Sequence, residues 1–112
     1  MIDWSRVNEL RRDIGEDGFS DVVEMFLEEV ETVLARLSPV TTMAVLAEDM
    51  HFLKGCAWNL GFREFGAMCH DAERRAAAGA MAPDVPAILA NYAQSKAAFL
   101  DGLAAGSAST AA

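Results

Sequence analysis

Several residue types that mark other protein classes are scarce in this chain of 112 residues. Two cysteines are too few for a disulfide framework, and three prolines without β-branched runs argue against a sheet. No apolar run reaches the length of about 18 residues that spans a membrane. Nine basic residues against seventeen acidic ones give a net charge of −8, which disfavours nucleic acid and anionic lipid as partners.

The residues that are abundant are good helix formers, mainly Ala, Leu, Met, Glu and Arg. Hydrophobic residues make up 53% of the chain, enough for one domain with a core. The first residues do not resemble a basic and apolar signal sequence. We therefore expect a cytoplasmic protein in which Cys56 and Cys69 are reduced thiols.

Apolar residues at helical spacing predict five helices. Gly15 ends the first, with a turn at residues 16–18, and Thr42 caps the third. Short loops between long helices favour an all-α, antiparallel up-down four-helix bundle over residues 1–105, with the short first helix covering one end. Residues 106–112 are expected to be frayed. The predicted helices are 3–14, 19–37, 42–60, 63–78 and 83–104, and the predicted core includes Phe26, Leu46, Met50, Leu53, Leu60, Phe65 and Met68.

The third predicted helix places His51 away from the core. At about 100° per residue, His51 points roughly 140° from the centre of the apolar stripe and should face water. A neutral imidazole has a lone pair that can attack phosphorus in line. Lys54, at i+3, can reach the charged phosphoryl oxygens, and Gly55, at i+4, removes a side chain that would crowd the ring.

Glu73 on the fourth predicted helix is expected on the His51 side of the bundle. A carboxylate there accepts the proton of one imidazole nitrogen and leaves the other nitrogen free to attack. Together these residues predict a phosphoryl acceptor, with His51 as the acceptor and Lys54, Gly55 and Glu73 in supporting roles. His70 is the second choice, because no Lys and Gly follow it at the same spacing.

The run from His51 to Gly61, His-Phe-Leu-Lys-Gly-Cys-Ala-Trp-Asn-Leu-Gly, resembles the signature of histidine-containing phosphotransfer (HPt) domains. That signature is His, any residue, Leu, Lys, Gly and a small residue, with Leu-Gly a few positions later. Cys69, Glu73 and the small residues up to Gly79 also resemble the family's next segment, where Gln or Glu is frequent at the position of Glu73. Cys56 and Trp58 depart slightly from the family pattern, because small residues are commoner at both places.

The resemblance implies a four-helix bundle that carries a phosphoryl group on His51, similar to the free-standing carriers of multistep phosphorelays. Its partners would be receiver domains of hybrid histidine kinases and of response regulators. The chain has no kinase ATP motif, so it is expected to be a stoichiometric carrier and not an enzyme. It would bind no cofactor itself, with Mg²⁺ held by the partner receiver, and it is expected to be a monomer.

Two alternatives from other classes remain open. One is a helical interaction domain in which His51 has no chemical use. The other is a metal-binding bundle, because Glu48-Asp49-Met50-His51 has the Glu-x-x-His spacing of di-iron proteins. Such a site needs a second motif of this kind and two further inward glutamates, whereas His51 lies off the core stripe.

A receiver must approach His51 closely, so the docking surface should surround it. Trp58 shares the His51 flank and is the strongest candidate for contact. Phe52 points elsewhere and is covered either by the first helix or by a partner. Ile14 and Phe19, near the junction of the first two helices, would extend the surface.

Overall fold

The structure is a computed structural model, and it describes residues 1–37, 42–80 and 84–106. Four helices account for most of these residues, which confirms the all-α prediction. The described residues contain no β-strand, only an isolated β-bridge between Ile2 and Phe62. The predicted start of the fifth helix at Pro83 and the tail 107–112 lie outside the described residues. The helices are α1 (Trp4–Ala35), α2 (Met43–Leu60), α3 (Arg63–Ala77) and α4 (Val85–Ala104).

Helix α1 is interrupted at Gly15, where the first helix was predicted to end, but the turn predicted at residues 16–18 is absent. Gly15 is the only residue within α1 with a non-helical backbone, at φ 79° and ψ 167°, and residues 16–18 are helical instead of forming a turn. Glycine adopts positive φ without steric cost, so one residue is enough to change the direction of the helix. The short segment 4–14 and the long segment 16–35 are therefore two arms of one kinked helix.

Side-chain caps set the starts of three helices. The carboxylate of Asp3 accepts from the backbone N–H of Arg6 at 3.3 Å, and Asp84 accepts from Ala87 at 3.1 Å. Thr42 caps α2 as predicted, because its hydroxyl accepts from the N–H of Val45 at 3.3 Å. Each cap satisfies one of the donors that a helix start leaves without an intrahelical partner.

The turn between α2 and α3 is fastened to the start of the chain. Gly61 ends α2 in the left-handed conformation, at φ 89°, and its carbonyl accepts from the N–H of Asp3 at 2.7 Å. The N–H of Arg63 donates to the carbonyl of Met1 at 3.1 Å. The short arm of α1 consequently covers this end of the bundle, as the sequence predicted.

The core lies where the apolar stripes of the four helices meet. Five predicted core residues are buried, but Met68 and Phe26 are half-buried and pack against the core from its edge. Both lie on the border of their stripe, which a helical wheel does not separate from its centre. The five buried predictions are Leu46, Met50, Leu53, Leu60 and Phe65.

Polar links fix how α1 lies against the other helices. Arg36, after the end of α1, pairs with the buried Asp49 of α2 at 2.9 Å. Tyr92 and Lys96 of α4 both donate to the carboxylate of Glu31 on the long arm of α1. On the short arm of α1, Trp4 stacks on Phe99 of α4, with the ring centroids 6.0 Å apart.

No helix in the described ranges is both long and apolar enough to cross a bilayer.

Candidate functional site

Helix α2 presents His51 to solvent while its opposite side is buried. The side chain of His51 is 69% exposed, whereas Met50 and Leu53 are fully buried. This contrast follows from the helical period, since neighbouring residues are rotated by about 100°. The ring is therefore accessible to another molecule, as its position on the wheel predicts.

Glu73 of α3 joins His51 and Lys54 of α2 through its two carboxylate oxygens. Oε2 lies 2.9 Å from Nδ1 of His51, and Oε1 lies 2.6 Å from Nζ of Lys54. Helix α3 runs antiparallel to α2 and makes its most extensive contact with that helix, so this register is supported along the interface. The structure thus brings together three of the four predicted site residues.

The charge of Glu73 decides which imidazole nitrogen carries a proton. The hydrogen bond from Lys54, assisted by that from His51, holds the pKa of the Glu73 carboxyl below its ordinary value although partial burial opposes this. Glu73 is therefore ionised near neutral pH and can only accept hydrogen bonds. Nδ1 of His51 must be the donor, and in the neutral ring the lone pair lies on Nε2.

Lys54 is less free than its place on the helix surface predicts. Its side chain is only 15% exposed, with the ammonium paired to Glu73 and 5.7 Å from the centroid of the Trp58 ring. A positive charge over an aromatic face is attracted by the ring quadrupole. The ammonium is therefore held in place next to the carboxylate that also binds His51.

Gly55 faces open space. A Cβ built at this position would meet no atom within 4 Å, so the glycine is required neither by a close helix contact nor by crowding of the His51 ring. The predicted reason, relief of crowding within the chain, is corrected. The space that Gly55 leaves is on the exposed surface of α2, outside the bundle.

The four predicted docking residues do not all reach the surface. Trp58, Phe52 and Ile14 are exposed to 46%, 41% and 39%, but Phe19 is only 3% exposed. The prediction for Phe19 is therefore corrected: its ring lies in the core beneath the guanidinium of Arg11, 4.7 Å away. Direct continuation of helix after Gly15 turns Phe19 inward.

Phe52 is not covered by the short arm of α1. It borders a shallow groove with Thr32, Val33 and Arg36, which belong to the long arm of α1 or follow it directly. Its exposed part therefore faces the side of His51 away from α3. Trp58 lies on the α3 side. The two aromatic residues therefore flank His51 and line two separate grooves.

One feature of the site was missed from the sequence. The indole of Trp58 lies on the backbone of α3 at Gly66, where a Cβ would overlap Nε1 and Cδ1 of the indole. The ring of His70 is 5.7 Å away, tilted by 43°. A glycine inside a helix is unfavourable by roughly 1 kcal/mol relative to alanine. Gly66 within a predicted helix was therefore the sequence feature that indicated a close approach of another group to the backbone.

The other reactive side chains lie apart from this surface. Cys56 and Cys69 are both buried free thiols, and burial raises the pKa of Cys69 to about 12. Across residues 1–37, 42–80 and 84–106, no three His, Cys, Asp or Glu side chains are grouped as a metal site would need. The Glu48 to His51 spacing is therefore not completed by further ligands in this part of the chain.

Comparison with known proteins adds one match. The sequence model of a protein family described as "Hpt domain" matches residues 21–105, which is most of the chain. Neither the curated proteins nor the solved structures include a match to this sequence.

Proposed function

Because this chain belongs to the Hpt domain family, whose members are phosphocarrier modules and not kinases, we propose that it relays a phosphoryl group through His51. In this proposal His51 accepts the group from the aspartate of a receiver domain, as found in hybrid histidine kinases, and passes it to a response regulator. The observation that carries the proposal is the bond between Nδ1 of His51 and ionised Glu73, beside a solvent-exposed ring.

The geometry supports attack by Nε2. Its lone pair forms the N–P bond as the P–O bond of the receiver's aspartyl phosphate breaks, and the aspartate leaves as a carboxylate. The imidazole ring gains a positive charge in this step. Glu73, which accepts the Nδ1 hydrogen bond, stabilises that charge, so the carboxylate favours the phosphorylated ring more than the free one.

Lys54 is placed to act on the transferred group. Charge in the transition state is spread over the three equatorial phosphoryl oxygens, and a nearby cation stabilises it. The ammonium is bound to the same carboxylate as His51, which supports a role beside the ring. Gly55 adds open surface one turn after His51, where the receiver's loops would approach.

The remaining components are expected to come from the partner. In the proposed reaction the receiver binds the Mg²⁺ that neutralises the phosphoryl oxygens, and this chain contributes no cofactor. The return reaction uses the same groups, since a step and its reverse pass through one transition state. The net direction then depends on which receiver is phosphorylated.

Incubation with phosphorylated receiver domains tests the proposal. Receivers from the source organism are labelled on aspartate, mixed with the protein, and the protein is examined for an acid-labile, base-stable label. We expect label on the wild type and on His70→Gln, which is the matched control, and none on His51→Gln. Label that persists on His51→Gln would refute the assignment.

A further inference from the structure

Lys54 is held on two sides, although it belongs to the exposed flank of α2. His51, one turn earlier, has a side chain that is 69% exposed, whereas that of Lys54 is 15% exposed. On one side its ammonium meets Oε1 of Glu73 at 2.6 Å. On the other it faces the ring of Trp58. A long side chain with many rotamers is thereby restricted to a small region.

Trp58 lies on the side of Lys54 away from His51. The three residues follow one another at i, i+3 and i+7 on α2, which places them along one face of the helix. The indole fills the region into which Lys54 would otherwise turn away from His51. An alanine at position 58 would open that region to solvent.

Gly66 is what allows the indole to lie there. Any side chain at position 66 would overlap Nε1 and Cδ1 of Trp58 and would force the indole to rotate. Gly66, His70 and Glu73 share one face of α3, at i, i+4 and i+7. The faces of α2 and α3 therefore meet in register, with Glu73 opposite His51 and Gly66 opposite Trp58.

We propose that Trp58 is a positioning residue, which holds the Lys54 ammonium beside His51 from its place on Gly66. The proposal rests on the proposed function of His51. Trp58 does not touch the reacting atoms. It acts through Lys54. A cation that is already held near the transferred group stabilises the transition state without a further loss of side-chain entropy during the reaction.

A small phosphoryl donor separates positioning from docking. With phosphoramidate as donor, Nε2 of His51 forms the new N–P bond as the donor's N–P bond breaks, and ammonia leaves with the bonding electron pair. No receiver surface takes part. A residue that only binds receivers has no effect on this reaction, whereas a residue that positions Lys54 does.

The maximal rate of His51 labelling by phosphoramidate is measured by ³¹P NMR. We expect Trp58→Ala to lower this rate about two- to fivefold, the equivalent of one cation–π contact near the surface, with the KM for phosphoramidate unchanged. Trp58→Phe keeps a ring face and should restore most of the rate. Leu89→Ala, which removes an exposed apolar side chain on α4, is the matched control and should react at the wild-type rate.

Two further variants test the route through Lys54 and Gly66. In a Lys54→Ala background, Trp58→Ala should cause no additional loss of rate. Gly66→Ala should lower the rate as Trp58→Ala does, because it displaces the indole while leaving residue 58 intact. Circular dichroism of each variant verifies that its helix content is that of the wild type.

The position of Lys54 is also measured without any reaction. Ring current from Trp58 should shift the ε-methylene signals of Lys54 in NMR spectra, and both Trp58→Ala and Gly66→Ala should abolish that shift. Wild-type signals and wild-type phosphoramidate rates in Trp58→Ala would overturn the proposal. If wild-type His51 takes no label from phosphoramidate or receivers, the proposed function fails, and these signals alone decide whether Trp58 positions Lys54.

Discussion

Replacing Glu73 by Gln tests the electrostatic centre of the site. Glutamine has nearly the same shape and retains an oxygen that accepts the Nδ1 hydrogen bond of His51, but it has no charge. The change therefore leaves the ring orientation in place. It removes the ion pair with Lys54 and the charge that stabilises a positive imidazole.

The effect on transfer follows from the difference between charged and neutral hydrogen bonds. A bond to a charged group contributes about 1.5–3 kcal/mol and a neutral one about 0.5–1.5 kcal/mol. The difference, about 1–1.5 kcal/mol, corresponds to a rate lower by roughly tenfold. Single-turnover transfer from a phosphorylated receiver measures it, and a rate within twofold of wild type would refute the role given to Glu73.

The effect on stability depends on pH. Folding lowers the pKa of Glu73, so its contribution is complete above the pKa of a glutamate in the unfolded chain, about 4.5, and is lost as pH falls through the lower folded value. Because the side chain is 22% exposed, we discount the pair and expect Glu73→Gln to cost about 1 kcal/mol at pH 7.

Urea denaturation at pH 7 and at pH 3 measures this dependence. The difference in unfolding free energy between wild type and Glu73→Gln should shrink at the lower pH. Glu24→Gln, an exposed position on α1, is the matched control and should change stability by less than about 0.5 kcal/mol at either pH. An equal difference for Glu73→Gln at both pH values would contradict the lowered pKa.

Three further outcomes are expected. Lys54→Ala should lower the maximal rate of transfer more than receiver affinity; a loss of affinity alone would make Lys54 a docking residue. Trp58→Ala should weaken receiver binding by about 1–3 kcal/mol in a titration, with helix content unchanged; unchanged affinity would move the interface elsewhere. Gly61→Ala should destabilise the fold by at least about 2 kcal/mol in urea, because its φ is positive and its Cβ would lie 2.8 Å from the carbonyl oxygen of Asp3. A cost below about 1 kcal/mol would show that the contact at Asp3 is unimportant.

The sequence alone determined the faces of the helices. Periodicity placed His51 outside and Met50 and Leu53 inside, since a helix rotates each residue by a fixed angle. The cap at Thr42 was readable because the residues that fit it are few. These properties depend on neighbours within one helix, so local chemistry is sufficient to predict them.

Tertiary structure decided which residues of the neighbouring helices those faces contact. The kink confined to Gly15 turns Phe19 into the core, which the turn predicted at residues 16–18 did not anticipate. Glu73 was expected near His51. However, the ion pair of Glu73 with Lys54 and the packing of Trp58 on Gly66 depend on the register of α2 against α3. That register is set by packing along the whole interface, and no single helix encodes it.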